Sequence, residues 1–456
     1  MSLSKFESML KTNNVYFFDS VEFEEIIQYY LDNGKHSLAK KAVKLGLDQH
    51  PTSVNLKLLK VELLIFDDKL QKATSLLLEL EAIDPNNSEI FIQRAMIYSK
   101  SNKHEEAIDT LRKTLSFIDD PIDIWSMIGM EYLYLDDFEN ARLNFANCID
   151  VDYEDYSSLY NIVYCFDMES KHEDAILYLN KYIDKNPFCE VAWHQLGRQY
   201  FVLNMFTEAL TSFDYSVLID ESFIGGYLEK AKTLEELKRY EEAIENYIIT
   251  LELDDPTAFA YVRIGECYEK IAQPDTAIKY YKKAVHEDPL LDKAWVLLTN
   301  LYQKEEDHQK ALYYITKALH IDESNSLYWR TYAEINLKLN LFEETVKAFH
   351  KCIELEDVSI EIYVGLADVL LFLGDFNEAL EVVIKAKNMY KQFTEIEYRL
   401  CGLFMLMHDE KNSLIHFKNG LAIDADYRHI VKELYPSVFE HPTVQKIIAN
   451  YLKATE

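Results

Sequence analysis

Four of the 13 histidines, His36, His104, His172 and His308, are separated by multiples of 34 residues. Imidazoles at a fixed spacing are the raw material of a metal site or of general acid–base catalysis. The other groups that could do chemistry are the carboxylate clusters Asp136-Asp137, Asp254-Asp255 and Glu305-Glu306-Asp307, and the six cysteines at 148, 165, 189, 267, 352 and 401. None of these is arranged as such chemistry requires. The histidines share their place in the 34-residue spacing with Phe138, Phe206, Tyr240, Phe342 and Phe376, which neither bind metals nor carry protons, so they are read as packing rings. The acidic clusters lack the Asp-x-Asp-x-Asp-Gly spacing of a calcium loop and suit helix N-termini, where acids cap and complement the dipole. No Cys-x-x-Cys pair indicates zinc or a disulfide framework, so the thiols are expected to be small buried hydrophobes. His-Glu-x-x-His, Gly-x-Ser-x-Gly, the phosphate loop and Gly-x-Gly-x-x-Gly are all missing from the sequence. The expectation is a chain with no catalytic residue, no metal and no cofactor.

The elements around these residues follow from composition. In 456 residues, 47 Lys+Arg face 78 Asp+Glu, and a net charge of −31 excludes a general nucleic-acid binder. Hydrophobic residues make up 49% of the chain, enough to order most of it. Only 11 Gly and 9 Pro leave too little turn chemistry for many tight hairpins, so helices are expected. The start, residues 1–14, has no apolar core of signal-peptide length, and no apolar stretch approaches the ~18 residues of a spanning helix. A cytoplasmic protein without membrane insertion is expected.

The 34-residue spacing runs through the chain. Ala39, Ala73, Ala107, Ala141, Ala175, Ala209, Ala243, Ala277, Ala311, Thr345 and Ala379 follow one another at that step, where ordinary usage would supply about one alanine. If this position is slot 20, units start near 20, 54, 88, 122, 156, 190, 224, 258, 292, 326, 360 and 394. All four tryptophans, Trp125, Trp193, Trp295 and Trp329, then fall on slot 4. Gly129, Gly197 and Gly265 fall on slot 8, and Pro51, Pro85, Pro187 and Pro289 on slot 32, with Pro121 and Pro256 one or two places later. Slots 4, 7, 8 and 11 recur at helical spacing, as do slots 20, 24 and 27, which predicts two antiparallel helices per unit. Small residues at slots 8 and 20 let the backbones approach, rings at slots 4 and 24 fill the flanks, and proline ends the second helix. One such unit cannot bury its apolar face, so stacking is obligatory.

The pattern resembles the tetratricopeptide repeat family: Trp193-x-x-Leu196-Gly197-x-x-Tyr200 with Ala209 and Phe213, and again Tyr261, Gly265, Tyr268, Ala277, Tyr281, Ala284 and Pro289. The resemblance implies an all-α, right-handed superhelical α-solenoid of about twelve helix-turn-helix repeats, of the stand-alone bacterial type. Three regions are expected: a cap segment at 1–19, twelve repeats over 20–427 and a capping helix pair at 428–456. Asp19 and Glu22 suggest a capping box entering the first repeat. An extra residue is expected near Phe66-Asp67-Asp68 in the second unit, where Leu56, Leu59 and Leu63 fit one place early. In the twelfth, Tyr398 and Gly402 precede Ser413 and Phe417 by a turn that looks one residue short.

The resemblance also implies that slots 2, 5, 6, 9, 12 and 13 of the first helices line a concave groove that holds peptides or proteins. In units three to six the stretch is Ile92, Met96, Met127, Met130, Tyr134, Tyr160, Asn161, Tyr164, Met168, His194, Arg198 and Phe201. Thioethers and phenols suit an adaptable pocket for a peptide or helix, or else pack on one another inside a tightly wound groove. Units seven to ten offer Glu229, Lys232, Glu235, Arg263, Glu266, Lys270, Asn300, Lys304, Arg330, Glu334 and Lys338, expected to read a partner's charges. Units eleven and twelve return to Val364, Leu371, Phe372, Leu403, Leu406 and Met407, an apolar seat for the capping helices. The carboxylate clamp of the family's chaperone-tail binders is not matched: Asn300 stands at its slot 9, but Val296 and Thr331 occupy two other clamp positions.

The expected function is a non-catalytic scaffold or adaptor for proteins or peptides. The alternative is an accessory subunit on a larger assembly, such as the cytosolic face of a membrane export or nascent-chain complex, which leaves a membrane-protein partner open. Direct nucleic-acid binding is disfavoured by charge, and residues 1–19 are too short for a DNA-binding domain behind a peptide sensor. Oligomeric state is not legible. The acidity itself is a belt: residues 122–257 carry 28 acids and 9 bases, −19 of the −31, so the outer face of the middle units is a second candidate surface for a basic partner.

Overall fold

A computed structural model describes residues 2–12, 16–116, 118–254 and 257–455. Asp255 and Pro256, and residues 1, 13–15 and 456 of the expected end segments, lie outside it. Among the described residues there are 28 α-helices, one 3-10 turn and no strand. The first helices of consecutive pairs begin at Ser20, Val54, Ser88, Ile122, Tyr156, Glu190, Ile224, Ala258, Asp292, Ser326, Ile360 and Thr394. Each second helix begins 16 residues later, from His36 through Glu410. The turn between them carries one left-handed residue at slot 15: Gly34, Asp68, Asn102, Asp136, Ser170, Asn204, Lys238, Ala272, Glu306, Asn340, Gly374 and His408. That conformation suits Gly, Asn and Asp, yet Lys, Ala and Glu are held there as well, so the packed helices impose the turn rather than its own residue.

Two expectations of irregularity are therefore wrong. Pair two has no extra residue and pair twelve is not one short. Leu56 and Leu63 seemed displaced because slots 3 and 10, seven residues apart on one helical face, are themselves buried positions: Ile90 and Ile97 repeat them in pair three, Ser158 and Cys165 in pair five. In pair twelve Tyr398 and Gly402 answer to different partners, described below.

The chain forms two compact bodies, one through Thr233 and one from Leu234. Within each, helix pairs stack in sequence, the α-solenoid arrangement. Every slot-20 residue from Ala39 to Ala379, Thr345 included, is fully buried. A Cβ on Gly129, Gly197 or Gly265 would lie 2.7, 2.6 and 2.4 Å from the rings of Phe145, Phe213 and Tyr281, so each slot-24 ring lies directly on a slot-8 glycine. The slot-4 indoles of Trp193, Trp295 and Trp329 donate to the slot-32 carbonyls of Pro187 (2.9 Å), Pro289 (2.9 Å) and Glu323 (2.8 Å), which ties each first helix to the loop before it.

In the N-terminal body, helix Ser2–Thr12 sets Phe6 against Phe18, Phe23 and Tyr30 with ring centroids 5.9, 6.1 and 6.2 Å apart. The first pair opens on the capping box, Asp19 N donating to Glu22 Oε2 at 3.0 Å. In the C-terminal body, the chain after Ile423 runs through a 3-10 turn, Asp426–Arg428, and helices His429–Leu434, Pro436–Phe439 and Pro442–Thr455. Pro436 and Pro442 open helices there, a position where the missing N–H costs nothing. Tyr435 lies flat on Gly402, where a Cβ would be 2.3 Å from its ring, and Tyr398 fills the space over Gly420. Gly402 thus belongs to the capping contact, and Tyr398 packs on Phe417 and Gly420 of its own pair's second helix, without a shifted repeat frame.

Candidate peptide-binding groove

The positions read as groove sit on the first helices, between slots 3, 8 and 10, which are buried in pairs two to twelve. In the N-terminal body Met96, Met127 and Met130 are half-buried and lean on the core, with Ile92 beside them. Tyr160, Tyr164 and Met168 project further, Tyr164 being 49% exposed. Asn161 and Phe201 are half-buried, and Arg198 is exposed, its Nη1 donating to Gln195 Oε1 at 3.3 Å. The slot-9 row Met96, Met130, Tyr164, Arg198, Lys232 thus grades from thioether to phenol to cation across adjacent helices. Tyr134 is turned to one side, stacked on His104 with centroids 5.1 Å apart, although 60% of it is exposed. His194 lies between Phe213 and Phe223, with both ring nitrogens shielded and unpartnered. Burial lowers its pKa to about 4, with Arg198 and Lys232 pushing the same way against Glu229, so it is neutral at pH 7.

The charged stretch is differently disposed. Arg263, in the C-terminal body, is held by Glu235 (2.7 Å) and Glu266 (2.8 Å). Lys293 reaches Glu266 at 2.7 Å, Lys304 reaches Glu269 at 3.1 Å and Arg330 reaches Glu334 at 3.3 Å. In the N-terminal body Lys232 pairs with Glu229 at 2.7 Å. Asn300 is exposed. Most of these charges answer one another, so a partner would have to displace an ion pair to be read by them. At pairs eleven and twelve the groove face is covered by the chain itself. Tyr435 sits on slot 9, Arg399 at slot 6 is buried and bridges Asp368 (2.7 Å) and Glu395 (2.9 Å), and Leu371 and Leu406 pack into the cluster that holds Tyr435 and Val438. Leu403, placed on the groove in the sequence reading, is fully buried at slot 10, whereas Phe372 stays exposed against Phe342.

Tetratricopeptide repeat profiles match residues 88–118, 126–188, 224–254, 260–289 and 360–395. The chain belongs to the tetratricopeptide repeat family. Among solved structures, YrrB, described as a tetratricopeptide repeat protein with an unusual peptide-binding site, is 16% identical over 40% of this chain and 94% of its own, with a TM-score of 0.35. MamA from Desulfovibrio magneticus RS-1 is 23% identical over 37% and 94%, TM-score 0.34, and the Cut9–Hcn1 hetero-tetramer of the APC/C is 14% identical over 88% and 92%, TM-score 0.33. No curated protein shows significant sequence similarity to the chain.

In this tetratricopeptide repeat chain three of the slot-17 histidines serve packing between neighbouring pairs. His36 stacks on Phe66 at 3.9 Å, His104 Nδ1 pairs with the buried Glu131 at 2.7 Å, and His172 Nδ1 pairs with the buried Gln199 at 2.9 Å. The six thiols are buried, which pushes Cys165 and Cys401 up to about 11 and Cys267 and Cys352 to about 12, far from a reactive thiolate. Among the described residues no three His, Cys, Asp or Glu side chains converge as metal ligands, and no helix is long and apolar enough to cross a membrane. Asp137 and Asp307 cap second helices through the amides of Asn140 and Lys310, both at 3.1 Å, while Asp136 and Glu306 hold the left-handed turn position.

The sequence reading passed over the groove face of the first two pairs, where Glu24, Glu25, Gln28, Asp32, Leu58, Leu59 and Glu62 line a cavity with Glu89 and Gln93 of the third. The signal was available: these are slots 5, 6, 9 and 13, the same positions read from the third unit onward.

Proposed function

We propose that the protein is a non-catalytic cytoplasmic scaffold that holds a peptide, helix or protein segment on the groove face of its N-terminal body. The observation that carries this is the contrast along slot 9. Tyr164 lies open there with Met130 half-buried beside it, whereas in the C-terminal body Glu266, Glu334 and Asp368 are engaged in ion pairs and Gly402 is covered by Tyr435, with Asn300 left exposed. The exposed phenols of Tyr160 and Tyr164 and the exposed thioether of Met168 favour contact with a partner over contact with water. Introducing two charges with Met130→Asp and Tyr164→Asp is expected to cut partner retention in affinity purification by about tenfold or more. Circular dichroism should stay unchanged, because both side chains lie outside the fully buried core. Full retention in a folded double variant would refute the reading.

A further inference from the structure

The groove face of the first three pairs encloses a cavity of about 730 Å3. Five carboxylates, Glu24, Glu25, Asp32, Glu62 and Glu89, line it, and no lysine, arginine or histidine among the described residues does. Its floor is Leu58 and Leu59, with Tyr29 at the rim. Gln93, only 2% exposed, also lines it: its Nε2 donates to Leu58 O (3.2 Å) and Glu89 Oε1 (2.9 Å), and its Oε1 has no partner. A buried acceptor left without a donor is costly, and here it stands among further acceptors. Of the neighbouring cations, Lys100 is in the adjoining cavity with its ammonium on Ile65 O at 2.7 Å, and Lys35 stands over the Tyr29 ring at 6.0 Å. The amides of Asn55 and Gln28 reach Glu24 (3.1 Å) and Asp32 (2.9 Å) without supplying charge.

We infer that this cavity receives cationic side chains of an extended basic peptide segment from a protein partner. The inference rests on the scaffold reading above and extends the groove by two pairs toward the N-terminus. Lysine or arginine would supply the positive charge that the five carboxylates lack and a donor for the Gln93 oxygen, while its methylenes cover Leu58 and Leu59. A single metal ion does not fit, since no three of these groups converge. The amides of Gln28, Asn55 and Asn87 each keep a second N–H beyond their bonds to Asp32, Glu24 and Asp84, which suits the carbonyls of a peptide, groups a polyamine does not have. Burial and the neighbours Glu89 and Asp32 push the Glu62 carboxyl up, as expected where acids share one surface.

The test is fluorescence anisotropy on the full chain with a labelled hexapeptide of alternating leucine and arginine, a length of about six residues matching three stacked helices. A glutamate-for-arginine version and spermidine serve as comparisons. Glu62→Gln with Glu89→Gln should weaken the basic peptide by about tenfold or more, and raising salt from about 50 to about 500 mM should weaken it comparably. The same double variant should melt no lower than the parent, because it relieves repulsion, so weaker binding could not be ascribed to unfolding. Equal binding of the acidic peptide, an unchanged Kd in the variant, or spermidine binding as tightly as the peptide would each overturn the inference. Self-association that disappears in the variant would assign the cavity to a second copy and likewise overturn it. If the peptide fails to bind while partner capture still depends on Met130 and Tyr164, this inference falls and the scaffold reading stands.

Discussion

Replacing Gly197 with leucine is expected to destabilise the sixth helix pair by about 3 kcal/mol or more. Even a Cβ there would stand 2.6 Å from Phe213 Cε1 and 2.8 Å from Cδ1 and Cζ. Phe213 is fully buried, with His194 against it at 5.7 Å, so the ring cannot move aside without opening the pair. Gly197→Ala should cost only about 1 kcal/mol, since the tenth pair carries Ala333 and Phe349 at the same two slots within one core. Trp193 stacks on Tyr215 at 4.5 Å in the same pair, so denaturant unfolding followed by tryptophan fluorescence reports the loss. Because each pair of a solenoid contacts only its neighbours, the leucine variant should unfold in two phases instead of one. An unchanged midpoint would contradict ring-on-glycine packing as the contact that closes the helices.

Tyr435→Ala is expected to release the C-terminal cap, at a cost of about 3 to 5 kcal/mol. Tyr435 is 3% exposed, lies on the Gly402 backbone and covers Arg399, whose salt bridges to Asp368 and Glu395 gain from the shielding. Losing the ring leaves a cavity and wets those charges. Hydrogen exchange of amides in helix Thr394–Leu406 and in residues 429–439 should accelerate by about a hundredfold, while exchange before Thr233 should not change. Uniform acceleration along the whole chain would mean that the cap stabilises more than the pairs beside it. No acceleration would mean that Tyr435 is not its anchor.

What could be read from the sequence depended on how few residue types a position tolerates. Slot 20 needs a side chain no larger than Ala or Thr and sets the frame, and slot 8 supports it where glycine or alanine faces a slot-24 ring, as in pairs four, six, seven, eight and ten. Slot 15 is set by backbone conformation that the packed helices impose, and Lys238, Ala272 and Glu306 share no side-chain property that would reveal it. Slot 10 hid for another reason: Glu131 and Gln199 are buried because His104 and His172 satisfy them across the pair, and a polar side chain on a helix reads as exposed until its partner is seen. The same blindness shifted the reading of pair two, where Leu56 and Leu63 lie on that hidden face. Groove slots were legible as positions but not as free surface. Nothing in the sequence said that Arg263 would be held between Glu235 and Glu266, or that a tyrosine 33 residues downstream would cover Gly402.

The central claim is that partners contact the groove face of the N-terminal body and not its outside. A photoreactive amino acid in place of Tyr164, on the first helix of the fifth pair, should cross-link to a partner protein in the native cell. The same residue in place of exposed Leu177, on the second helix of that pair, should not. Cross-links from Leu177 with none from Tyr164 would contradict the account and move the contact surface to the outer, acidic face.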